Sequence, residues 1–149
     1  MVFVFDDSGV FEAPIEIVWA YFNSGPAHRS AHHHRKSHLE ELSETSFVAS
    51  WEQDYNGGPV FFKMHGTEYP PLGLAYEILA GPFAGSKFFF YYTPVGDRTQ
   101  VSLVGEFASD SIPAALLKSK VIDFFAIEFE QDREGLDRYQ TKDMDDQHP

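Results

Sequence analysis

The sequence predicts an α+β domain in which a curved, antiparallel sheet of seven strands lies against one long C-terminal helix. Three observations carry this reading. Strand-like runs follow one another from Lys36 to Phe107 with only turn residues between them, and strands joined by tight turns pair antiparallel. From Pro113 to Tyr139 apolar residues recur at helical spacing, with Leu117, Val121, Phe124, Phe125, Phe129, Leu136 and Tyr139 on one arc. Within the strand region, Phe88 to Thr93 is aromatic on both faces: Phe88, Phe90 and Tyr92 alternate with Phe89 and Tyr91, so one face meets the core and the other carries an apolar patch.

The first strand is expected over residues 2–5 and 10–12, bent at Asp6-Asp7-Ser8-Gly9. Ala13-Pro14 opens a short helix, Ile15 to Phe22, because proline in a first turn loses no hydrogen bond and Glu16 lies at the positive end of the helix dipole. Asn23-Ser24-Gly25-Pro26 ends it, and a second short helical or irregular piece follows through Ala31. Strands then cover Lys36 to Thr45 and Phe47 to Tyr55, and Asn56-Gly57-Gly58 supplies the positive φ of a tight hairpin. Pro59 to Tyr69 and Leu72 to Ala80 come next, then a turn at Gly81-Pro82 and Gly85. Pro94-Val95-Gly96-Asp97 joins the aromatic strand to Gln100–Phe107, where Val101, Leu103 and Phe107 alternate with Gln100, Ser102 and Glu106. Asp110 or Ser111 caps the long helix.

At 149 residues the prior is one domain, able to bury roughly 68–70% of its unfolded surface. It is expected to span residues 1–140, with an acidic, disordered tail over 141–149. The 15 phenylalanines, within an aromatic content of 16%, supply more ring area than a core of this size usually takes. The chain has no cysteine, which excludes disulfides, thiolate metal sites and a cysteine nucleophile. A net charge of −12 argues against nucleic acid or an anionic membrane as partner, since both need a basic footprint. Neither a signal-peptide pattern nor a membrane-length apolar run is present, and a cytoplasmic location is expected. Serine-hydrolase, P-loop, dinucleotide and H-E-x-x-H patterns are absent.

The order of one strand, two short helices, six strands and a long helix resembles the helix-grip fold of the START-like (SRPBCC) superfamily, and within it the polyketide cyclase/dehydrase and coenzyme Q-binding group. The residues that carry the resemblance are Glu12-Ala13-Pro14 with Val18-Trp19, Ala80-Gly81-Pro82-Phe83, and Tyr92-Thr93-Pro94-Val95-Gly96. The resemblance implies an apolar cavity between sheet and helix. Its wall would come from Trp51, Phe62, Met64, Tyr76, Ile78, Phe90, Tyr92 and Leu103 on strands and Val121, Phe124 and Phe125 on the helix, unless these rings simply fill a core. A small hydrophobic ligand, aromatic, polyketide-like or isoprenoid, is the implied partner, with no cofactor.

Two polar features stand out. Glu128 lies in the apolar arc of the helix with Asp132 one turn on; a carboxylate there is costly unless paired or wet, and burial would raise its pKa. Arg133 or Arg35 would be its partners if it is paired. The other is a histidine cluster, His28, His32, His33, His34 and His38, with His65 elsewhere. In an extended segment His32, His34 and His38 share a face and, with Glu128, compose a zinc-like donor set, but the spacing matches no named zinc motif and no metal is expected. Two functions follow. In a binder, Tyr76, Tyr92 and Glu128 orient a polar head group. In a cyclase or dehydratase, Glu128 or a histidine (His34, His38) moves a proton while Tyr92 or Tyr76 stabilises an oxyanion. A homodimer contact through Phe89 and Tyr91 is compatible with either.

Overall fold

The computed structural model describes residues 1–147. Strand β1 (Val2–Phe11) is followed by helices α1 (Ile15–Phe22) and α2 (Pro26–Ala31), then by β2 (Arg35–Glu41), β3 (Ser46–Tyr55), β4 (Gly58–Tyr69), β5 (Gly73–Ala80), β6 (Lys87–Val95) and β7 (Arg98–Phe107), and by α3 (Ala114–Gln147). The strands form one seven-stranded antiparallel sheet in the order β1-β7-β6-β5-β4-β3-β2. Consecutive strands from β2 to β7 are therefore neighbours, and β1 closes the far edge against β7. This is the expected helix-grip architecture.

Local chemistry explains the boundaries. The bend in β1 is a register shift between Asp6 and Gly9, where the side chain of Asp6 accepts hydrogen bonds from Ser8. Asn56 and Gly57 take φ of 52° and 87°, the paired positive values of a two-residue hairpin between β3 and β4. The β6–β7 connection is tighter than expected. Pro94 and Val95 remain in the ladder, opposite Thr99 and Arg98, and only Gly96-Asp97 turns. Strand β2 ends at Glu41 rather than Thr45, because Leu42 and Ser43 close a turn back onto Ser46. Helix α3 continues past the expected end at Tyr139 to Gln147; the last two residues of the acidic tail lie outside the described residues.

The inner face of the sheet holds two packed clusters. One joins Trp51, Phe62, Ile78, Phe83, Phe88, Leu103 and Phe107 to Leu117, Val121 and Phe124 of α3. The other gathers α1, Phe11, Leu74, Tyr92 and Val101 around Leu136. On the outer face Phe89 and Tyr91 are exposed and stacked, 5.6 Å between ring centres, with Phe5 and Phe89 flanking Val104 in register. Among the described residues no helix is long and apolar enough to cross a membrane.

Candidate functional site

Two helices meet across the site. His28 on α2 and His32, the residue that ends it, are four apart, so one turn of helix aims both rings at α3. Glu128, Gln131 and Asp132 on α3 share the facing side for the same reason. His34 follows in the extended segment that leads into β2, and its ring stacks on His32 (4.9 Å, 17°) and on Trp51 (4.6 Å, 12°). Trp51 stacks in turn on Phe62, and Phe62 on Phe124, so a column of rings runs from the polar cluster into the core.

His32 is the centre of this cluster. Its Nε2 lies 2.9 Å from Asp132 Oδ1, and its Nδ1 lies 2.8 Å from Gln131 Oε1 and 2.8 Å from Glu128 Oε2. Asp132 Oδ1 also accepts from the Tyr21 hydroxyl (3.1 Å) and faces His28 Nε2 (3.2 Å). Glu128 Oε1 accepts from the Gln53 amide (3.3 Å), and Trp51 Nε1 donates to Gln53 Oε1 (2.6 Å). His34 Nε2 stands 3.5 Å from Glu128 Oε2, too far for a good hydrogen bond, and this buried nitrogen has no partner among the described residues.

The electrostatics run opposite to expectation at Glu128. Burial alone would raise its pKa, but contacts with His32 and then His34 outweigh that and hold it at about 2. Asp132 is likewise held at about 2: burial works against ionisation, and hydrogen bonds from His28 and His32 overcome it. Burial would also discharge His32, yet its bonds to Asp132 and Glu128 lift it to about 10. At neutral pH the cluster is therefore an imidazolium between two carboxylates. The Tyr21 phenol is pushed well up, by burial first and then by the Asp132 charge, and stays a donor.

A cleft of about 420 Å³ opens beside this cluster, between the β3–β4 hairpin and α3. Tyr55, Phe124 and Ile127 form its apolar side; the rest of its lining is polar or charged and includes His34, Arg35, Gln53, Lys120, Asp123 and Glu128. The expected cavity wall is otherwise elsewhere. Trp51, Phe62, Ile78, Leu103 and Val121 are buried in the first cluster, and Met64, Tyr76, Phe90 and Phe125 pack against it. Tyr92 is buried in the second cluster, stacked on Phe22, so neither Tyr76 nor Tyr92 faces the cleft. Of the proposed lining residues, Phe124 and Glu128 alone line it.

Two further expectations are corrected. His38 lies on the exposed edge strand β2, opposite Ser50, and takes no part in the cluster; an isolated turn of helix puts His28 there instead. The partners of Glu128 are histidines and Gln53, whereas Arg133 pairs with Glu130 and Arg35 with Glu52 and Asp54. His33 is exposed, and His65 hydrogen-bonds Ser46 across the sheet. His28, Tyr21, Gln53 and Gln131 were not singled out from the sequence as one site; the i, i+4 match of His28/His32 with Glu128/Asp132 is the signal that finds its centre.

Comparison with known proteins places the fold. No protein-family model and no curated protein sequence matches the chain. Among solved structures it is similar to a protein of Thermus thermophilus, with a TM-score of 0.69 and 16% identity over 92% of this chain and 95% of that one. It is similar to the Zhui aromatase/cyclase from Streptomyces sp. R1128, at a TM-score of 0.69 and 14% identity over 91% and 90% of the two chains. An AHSA1-like protein from Aeromonas hydrophila gives a TM-score of 0.65 at 14% identity over 93% and 94%. At such identities the likeness shows the fold alone: the chain has the helix-grip fold.

Proposed function

We propose that the protein binds a small, mostly apolar molecule with one polar end in the cleft between the β3–β4 hairpin and α3. The observation that carries this is the cleft itself: about 420 Å³, within the size range of small-molecule sites, with an aromatic and aliphatic side, a floor where Glu128, Gln53 and the His34 nitrogen meet, and charged side chains such as Lys120 and Asp123 around it. Tyr55, Phe124 and Ile127 supply contact area at roughly 25 cal/mol per Å² before ordering costs. The floor orients the polar end: ionised Glu128 accepts a hydrogen bond, and His34 Nε2 exchanges one. An aromatic or polyketide-like ligand is further supported by the aromatase/cyclase among its structural neighbours. Catalysis with Glu128 as proton donor is disfavoured, because its ion pair with His32 keeps it deprotonated at neutral pH.

Isothermal titration with 2-naphthol, a bicyclic ring with one hydroxyl, tests this. Ile127 is 61% exposed and lines the cleft, so Ile127→Arg is expected to abolish the binding seen in the native chain while stability stays within about 0.5 kcal/mol. Equal affinity in both proteins rejects the cleft as the site.

A further inference from the structure

We propose that His32 Nδ1, His34 Nε2 and Glu128 Oε2 hold a divalent transition-metal ion of the zinc class, with an open coordination position toward the cleft. The inference does not rest on the organic ligand, because the ion alone is the probe.

The geometry is suitable first. The three donor atoms lie within 4.8 Å of one another, Glu128 Oε2 being 2.8 Å from His32 Nδ1 and 3.5 Å from His34 Nε2. Donors bound at about 2.0–2.2 Å to a shared zinc stand about 3.0–3.5 Å apart, so both histidine–carboxylate distances come within about half an ångström of that, and the stacked His32 and His34 rings must tilt to bring both nitrogens onto one ion. His34 Nε2 is a second, independent pointer. It is buried, faces Glu128 and lacks a hydrogen-bond partner among the described residues, an arrangement that costs free energy unless something occupies the space.

The surrounding groups form the outer layer a metal site requires. His32 keeps its Nε2–H on Asp132, the carboxylate–histidine pairing that fixes the ring, and the ion takes Nδ1 in place of its contact with Gln131 Oε1. Asp132 is held by the Tyr21 hydroxyl, and the other oxygen of Glu128 is held by Gln53. Two imidazoles and one carboxylate, without thiolate, favour zinc, cobalt or nickel over the hard cations calcium and magnesium. When the ion enters, the Nδ1 proton of the His32 imidazolium leaves to solvent and the Nε2 proton stays. His34 and Glu128 border the cleft, so the remaining coordination position faces it. The overlapping set His28, His32 and Asp132 also lies within 4.8 Å, but there the Tyr21 hydroxyl already occupies Asp132 Oδ1, the oxygen that both histidines face.

The test is a cobalt(II) titration of the untagged full chain after chelator treatment, read by the visible d–d bands. One equivalent is expected to bind. His34→Ala and His34→Gln are expected to weaken binding at least tenfold with near-UV circular dichroism unchanged, and the double change His33→Ala with His38→Ala, on exposed residues, to leave it within about twofold. Zinc should raise the melting temperature of the native chain and not of His34→Gln. Absence of cobalt binding by the native chain overturns the proposal, as does full affinity in both His34 variants. So does loss of binding in the exposed double variant, or loss in His28→Ala alone, which moves the ion to the other histidine pair.

Discussion

At the scale of single residues the molecule turns on His32, a cation wedged between two carboxylates. Removing one partner of a largely buried ion pair leaves the other uncompensated. Glu128→Leu should therefore lower stability by about 2 kcal/mol, seen as a lower urea midpoint at unchanged slope; a neutral or stabilising result means that Glu128 is not paired with His32. The pH dependence of the metal-free protein follows with definite sign. Glu128 and Asp132, depressed to about 2, contribute stability that is complete above their ordinary values near 4 and is lost as pH falls toward 2. His32, raised from 6.5 to about 10, contributes fully below 6.5 and loses its contribution as pH rises toward 10. The urea midpoint in chelator should thus peak between about pH 4.5 and 6.5; a midpoint still climbing between pH 7 and 9 contradicts the imidazolium at His32. Glu128 and Asp132 were legible as misplaced charges on an apolar arc. Their low pKa was not, because it depends on a partner nearly a hundred residues away in sequence that only the fold brings within 2.9 Å.

At the scale of elements, the site exists because α1 and α2 press against α3. Gly135 marks the closest approach: a Cβ there would meet the Tyr21 hydroxyl and stand 2.6 Å from Ala31 Cβ. Alanine is the better helix former by about 1 kcal/mol, whereas overpacking costs about 1–3 kcal/mol. Gly135→Ala should therefore destabilise by about 1 kcal/mol and shift the tyrosine that donates to Asp132; a stabilised variant in urea would show that the helices have room to move apart. Strand and helix positions were largely readable, since alternation, Asn-Gly turns and the α3 arc are local signals. The second short piece expected through Ala31 is helix α2. Uniform extended geometry from His32 onward groups His38 with His32 and His34; instead one helical turn pairs His28 with His32, and the register shift between Arg35 and His38 leaves His38 on an exposed edge.

At the scale of the whole molecule, the aromatic excess is spent differently from expectation. Rings fill the interior, in stacks such as Trp51–Phe62–Phe124 and Phe88–Phe107, and the open volume lies at the margin of the helix grip. Composition announces ring area, but whether facing rings interlock or stand apart is decided by curvature and the seating of α3, which no short stretch of sequence encodes. The decisive measurement is a 1H–15N NMR titration of the native chain with 2-naphthol. Shifts should concentrate at Tyr55, Ile127, Gln131 and the His34 ring, and leave Phe88, Phe90, Leu103 and the Trp19 indole unmoved. Shifts centred on Phe88, Phe90 and Leu103 instead would show that the ligand opens the interior, and would contradict a binding site in the cleft.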